Sequence, residues 1–288
     1  MQENLWKNRS AGRAVATLLG VLGLALSSVT PTQAHDITCG DILGPGGILQ
    51  LEHDLTCNLF SGGITIRDGA VLDLNGHRVT CDRSIFERCI VLTGKHAQLW
   101  NGTVQGGSHM SILLEGTGRH TVWNVTSPLV DGNILVTSDH NLLINVSAES
   151  VYNPAFAILG HHNRLTHTTA RCPFVVFDGC LHVSGNANEL LDTLVTVEEG
   201  SPSEHAAIRI AGDQNRLSLN RVTNVDGPAI EVTGQKNALR FNTAQGNPVD
   251  LRDTNGDCTH NIWKDNIFTT SDPACIGAGG ATDKEAAK

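Results

Sequence analysis

Seven short apolar segments recur along this chain at nearly constant spacing, and they constrain its fold more than any other feature. They read Cys-Ile-Val-Leu-Thr-Gly94, Ser-Ile-Leu-Leu-Glu-Gly116, Asn-Ile-Leu-Val-Thr-Ser138, Ala-Phe-Ala-Ile-Leu-Gly160, Cys-Leu-His-Val-Ser-Gly185, Ala-Ile-Arg-Ile-Ala-Gly212 and Ala-Ile-Glu-Val-Thr-Gly234. Their final residues are spaced by 22, 22, 22, 25, 27 and 22 residues. Within each segment apolar residues alternate, the period of a strand with one buried face. Ile90, Ile112, Ile134, Phe156, Leu181, Ile208 and Ile230 therefore point inward, with Leu92, Leu114, Val136, Ile158, Val183, Ile210 and Val232. Three residues after the Gly or Ser comes Asn141, Asn163, Asn188, Asn215 or Asn237, and two residues later an inward Leu143, Leu165, Leu190, Leu217 or Leu239. Asn tolerates a left-handed turn, and stacked Asn side chains can hydrogen-bond from coil to coil. A solenoid follows. Propeller blades need ~40 to 45 residues and left-handed helices show hexapeptides, so neither fits.

The expectation is an all-β chain, a right-handed parallel β-helix of about nine coils, ~43 Å long at ~4.8 Å per strand. Ahead of it, Lys7, Arg9 and Arg13 precede an apolar run from Ala14 to Leu26 and small residues ending at Ala34. These are the three regions of a secretory signal, and the run is shorter than the ~20 residues that span a bilayer. The organisation read from this is a signal peptide over 1–34, a solenoid over 35–276 and a loose tail over 277–288. Without Lys7, Arg9, Arg13 and Glu3 the chain keeps 17 Lys and Arg against 28 Asp and Glu, a net charge of −11. Such a chain repels bare nucleic acid, and no membrane partner is expected once the signal is removed. Localisation is read as secreted or periplasmic, and the protein as a monomer.

The Gly/Ser-x-x-Asn-x-Leu turn, the segment Val71-Leu72-Asp73-Leu74-Asn75-Gly76-His77 and the stretch from Cys258 through Asn261, Trp263 and Asn266 to Phe268 resemble the pectate-lyase-like superfamily of right-handed β-helices. The resemblance covers roughly residues 60 to 270. It implies an extended polysaccharide as partner, since lyases, hydrolases and epimerases share the domain; so does a periplasmic protein of nitrous oxide reductase maturation. One fold hosts many functions, so the chemistry must come from the site. Residues 36 to 60 would then cap one end through Cys39 and Cys57, and Cys258 and Cys275 would pin the other. Cys81 with Cys89 and Cys172 with Cys180 would staple two loops of equal phase, completing four disulfides between sequence neighbours.

Candidate chemistry gathers in two phases of the repeat. Seven residues before each Gly or Ser stand Glu87, His109, Asp131, Asn153, Asp178 and His205, a titratable edge that can share protons or invite Ca²⁺. Eleven residues after it stand Gln105, Glu149, Arg171 and Thr196. The candidate catalytic set is Asp131, Glu149, Arg171 and Asp178, with His109, Tyr152 and His205 contacting substrate. An Arg beside Ca²⁺ suits a lyase, whereas a carboxylate pair suits hydrolysis; Glu149 and Arg171 also read as a plain surface ion pair. The Asp and Arg-Ile-Lys elements of polygalacturonases are incomplete, which keeps a non-catalytic binding module in play. His96, His140 and His162 share one turn position and raise metal maturation as a third reading, against exposed turn residues. Asn101-Gly-Thr, Asn124-Val-Thr and Asn145-Val-Ser match the glycan-acceptor pattern but are expected to be turn-ladder residues.

Overall fold

The computed structural model describes residues 36–58, 62–82, 88–107, 110–130, 133–151, 153–173, 178–197, 205–223 and 225–277. The proposed signal, residues 1–34, and tail positions 278–288 lie outside them. The described chain is all strand and turn, without a helix, and forms a parallel β-solenoid of about nine turns. Its first strand line holds eleven parallel strands, from Ile42–Leu43 to Ser271–Asp272. The second sheet runs as two further lines. Gln98–Gln105, Thr121–Val130 and Leu142–Ser150 are long enough to serve both. Later coils break at the corner, as in Arg164–Thr166 followed by Thr169–Cys172.

The repeat sets the register. Ile134, Phe156, Leu181, Ile208 and Ile230 pair in succession along the first line, as do Val136, Ile158, Val183, Ile210 and Val232. All of these, and the inward Leu143, Leu165, Leu190, Leu217 and Leu239 of the second line, are fully buried. Each such side chain contributes about 1.5–3 kcal/mol by leaving water, so a core several coils long dominates the fold.

Between the first and second lines the turn differs in one respect from expectation. The left-handed residue is the one before the Asn: His140, His162, Ala187, Gln214 and Lys236 have φ of 59, 57, 56, 60 and 59°. The Asn itself turns inward. Its Oδ1 accepts the backbone N–H of the equivalent residue in the preceding coil, from Asn141 to Asn163 at 2.8 Å, Asn163 to Asn188 at 2.7 Å, Asn188 to Asn215 at 2.8 Å, Asn215 to Asn237 at 2.7 Å and Asn237 to Asn261 at 2.9 Å. A buried N–H must find an acceptor, and the ladder supplies one per coil. A second ladder fills the next corner, where Thr193, Asn220 and Asn242 donate to Asn220, Asn242 and Asn266 in turn.

One coil uses histidine at the ladder position. His120 donates its backbone N–H to Asn141 Oδ1 at 2.8 Å, while its Nδ1 accepts the Ala97 N–H at 3.1 Å. Nε2 lies 2.8 Å from the Glu115 carbonyl, so the proton sits on Nε2. Burial lowers the His120 pKa below its ordinary value, with a further push from His96. The unfolded chain therefore takes up a proton below pH ~6.5 that the folded chain refuses. Stability is full above that pH and falls as the solution is acidified. Urea midpoints at pH 7 and pH 5 should show this loss, and His120→Asn, which restores an amide to the ladder, should reduce it. Equal losses in the two proteins would show that His120 does not carry the effect; half-buried His182, lowered in the same sense, keeps part of the slope in both.

Residues 36 to 58, expected to cap one end, take the form of a coil. Ile48–Gln50 and Leu55–Cys57 pair with Val71–Asp73 and Arg78–Cys81, so this segment is the first coil, with Leu43 and Leu51 in the core. The four disulfides join Cys39 to Cys57, Cys81 to Cys89, Cys172 to Cys180 and Cys258 to Cys275, and no described cysteine is free. Four bridges fit an oxidising, extracytoplasmic environment. At the far end Trp263 Nε1 and Asn261 Nδ2 both donate to Asp253 Oδ2, which closes the core beside Cys258.

Candidate functional site

The third strand line brings Glu149 and Arg171 together. Their inward neighbours Ala148 and Ala170 are buried, so alternation turns Glu149 and Arg171 to solvent on adjacent strands. The guanidinium Nη1 lies 3.7 Å from Glu149 Oε1, with the arginine half exposed. His109, Asp131 and Tyr152 lie outside the described residues. Asp178 and His205 are described and exposed, on the loops that lead into the first line. Asp178 is joined to Arg209 on that line rather than to Arg171: Nη1 of Arg209 donates to Asp178 Oδ1 at 3.0 Å.

Arg209 belongs to a longer array. It faces Glu231 at 3.5 Å, Arg252 faces the other oxygen of Glu231 at 3.6 Å, and Arg252 reaches Asp272 at 3.6 Å. These are the middle, outward residues of Ile-Arg209-Ile, Ile-Glu231-Val and Leu-Arg252-Asp, stacked on successive strands. His182 precedes Arg209 in the same row. Burial lowers its pKa, and nearby Arg209 adds to this while Asp178 opposes it. The row thus holds a neutral imidazole beside an alternating set of charges that satisfy one another. The pairs are half-buried, with Glu231 only 16 % exposed, and at separations of 3.5–3.6 Å the array serves chiefly to fix side-chain positions. The sequence carried the signal, opposite charges at the centre of consecutive core tripeptides, but the tripeptide centres were not read as a set.

The second line presents a different face. Arg216, Ser218 and Arg240 project beside Lys236 of the turn into a concavity of 830 Å³, which Ala238, Ile262 and one carboxylate, Glu189, also line. Among the described residues no carboxylate is paired with Arg216, Lys236 or Arg240, whereas Arg164 at the edge is held by Glu189 at 3.3 Å. Farther along the same line Trp100 and Trp123 stand on adjacent strands, edge to face at 6.3 Å, with Trp123 45 % exposed. The sequence reading missed both features. Their only signature is a run of outward positions spaced by one coil.

No protein-family model matches the sequence, and neither does any curated protein. The histidine row is turn structure: His140 and His162 stack at 4.9 Å, and His161 Nδ1 accepts the Asn186 N–H at 2.9 Å. No group of three or more His, Cys, Asp or Glu among the described residues is arranged to hold a metal ion. Calcium therefore has no ligand set among the described residues.

Proposed function

We propose that this is a right-handed β-helix protein of pectate-lyase-like descent, secreted or periplasmic, that binds an extended uronic-acid-containing polysaccharide along its second strand line. One observation carries the reading: three cations, Arg216, Lys236 and Arg240, none paired with a carboxylate among the described residues, outnumber the one lining carboxylate, Glu189, in a concavity on a chain whose net charge is −9. Unpaired cations gathered on a concave surface focus a positive field, and their natural complement is a row of carboxylates. The sheet repeats its side chains every ~4.8 Å, which suits a repeating polymer better than a compact ligand. Titration calorimetry with polygalacturonate, and with neutral dextran as control, tests it. The double variant Arg216→Gln/Arg240→Gln should bind about thirtyfold more weakly, with roughly 1 kcal/mol lost per charge-assisted contact, and added salt should weaken the wild type. Equal binding of dextran, or an unaffected double variant, would remove the reading.

A processing activity is the second reading, favoured by the adjacent Glu149 and Arg171 on the third line. Release of unsaturated or reducing ends from polygalacturonate would register it. Arg171→Ala should then abolish turnover while changing stability by about 0.5 kcal/mol or less, as expected of an exposed side chain. Full turnover by that variant would leave the pair as surface.

A further inference from the structure

We infer that Trp100 and Trp123 form a second subsite on the same strand line, one that stacks the uncharged faces of pyranose rings, so that the bound chain lies parallel to the solenoid axis. The inference rests on the polysaccharide reading and adds to it a direction, a minimum length and a separate chemistry.

The placement follows from register. Trp123, Ile144, Thr166, Leu191, Ser218 and Arg240 are consecutive partners along the second line. Trp123 is thus five strands from Arg240, ~24 Å at ~4.8 Å per strand. Both side chains leave the same face of one continuous sheet, with only short turns on either side.

The chemistry of the subsite is that of a sugar rather than of a lipid or an apolar protein surface. An exposed indole offers an apolar face to the C–H bonds of a pyranose, and its edge-to-face contact with Trp100 limits its motion. Beside the rings runs a row of side-chain amides. Asn145 Nδ2 donates to Asn124 Oδ1 at 2.8 Å, Asn124 Nδ2 to Asn101 Oδ1 at 3.1 Å, and Asn101 Nδ2 to Asp73 Oδ1 at 3.1 Å. Each Asn is left-handed, with φ of 52, 56 and 53° for Asn145, Asn124 and Asn101, so the row is pinned by both backbone and side chain. Each ladder bond uses one of two Nδ2 hydrogens, which leaves a donor per coil for hydroxyl groups. Aromatic face and amide rim together match a sugar's apolar face and hydroxyl edge.

Two subsites on one chain couple through effective concentration. A pyranose advances an extended chain by about one strand spacing, so roughly six units bridge Trp123 and Arg240. A trimer can fill one subsite, and an octamer both.

The test uses the full oxidised protein with a galacturonate size series from trimer to dodecamer, read by calorimetry and tryptophan fluorescence. Affinity should rise steeply between trimer and octamer, with fluorescence changing only for the longer oligomers. Trp123→Ala should bind the octamer about tenfold more weakly and the trimer unchanged, and Trp123→Phe, which keeps an aromatic face, should recover most of the loss. If Trp123→Ala binds every length as the wild type does while Arg216→Gln/Arg240→Gln is weakened, the tryptophan subsite is wrong and the polysaccharide reading stands. If no galacturonate binds at any length, the polysaccharide reading fails. Cellohexaose then decides the subsite: a fluorescence change in the wild type that Trp123→Ala lacks supports it, and none overturns it.

Discussion

Replacing Gly185 by Ala is expected to lower the unfolding free energy by about 3 kcal/mol, the upper end of the range for forcing an extra carbon into a packed interior. Gly185 stands in a column with Ser138, Gly160, Gly212 and Gly234, one residue per coil at the end of the first line. A methyl group on Gly185 would overlap the carbonyl oxygen of Gly160, and one on Gly212 or Gly234 the carbonyl of the glycine before it. The clash is with backbone, which no rotamer change relieves. The reason is close approach and not a left-handed φ, which Gly185 does not have. Gly44 is the control, since a methyl group there meets nothing within 4 Å. Urea denaturation of the oxidised proteins should separate Gly185→Ala from Gly44→Ala clearly. If the two coincide, the coils are not stacked as described.

Asn215→Ala should destabilise by about 2 kcal/mol, because a buried N–H left without an acceptor costs ~1–3 kcal/mol. Asn215 Oδ1 accepts the Asn188 N–H at 2.8 Å, and both residues are buried. Nδ2 of Asn215 finds no partner, so its removal offsets a small part of the loss. Amide hydrogen exchange gives a local reading: the Asn188 amide should exchange far faster in the variant. Asn124→Gly breaks an exposed ladder bond instead, at a left-handed position that glycine adopts without strain and where water can replace the amide, and should stay within about 0.5 kcal/mol. Equal costs at the two positions would mean that burial is not what makes the inner ladder matter.

The pH response of the fold follows the same logic from another residue. His120 stands where the following coils place asparagine, and its imidazole serves the ladder only while Nδ1 is unprotonated. An acid-labile coil is thereby set into an otherwise uncharged inner ladder. That consequence was not legible in the repeat, since His120 precedes the first ladder Asn and shares no obvious motif with it.

What the sequence determined by itself was everything that repeats and is buried. Ile112, Ile134 and Phe156 had to point inward because alternation allows one face to a strand, and Asn163 and Asn188 had to stack because their spacing equals one coil. Cys172 and Cys180, like Cys81 and Cys89, could be paired as brackets of one loop, because the two pairs share a phase of the coil. Even the adjacency of Glu149 and Arg171 followed from counting, because one coil separates them. Tertiary structure alone decided what the outward positions do. Burial penalises error at every inward residue, whereas an outward side chain can be charged or apolar with little effect on the fold, so periodicity carries no information about it. Hence Asp178 could be assigned a phase but not its partner, Arg209. Arg209 could not be known to be neutralised by Glu231, nor Arg216 and Arg240 to stand unpaired, until strands ~4.8 Å apart fixed which charges meet. The same stacking, and not any motif, set Trp123 in line with Arg240.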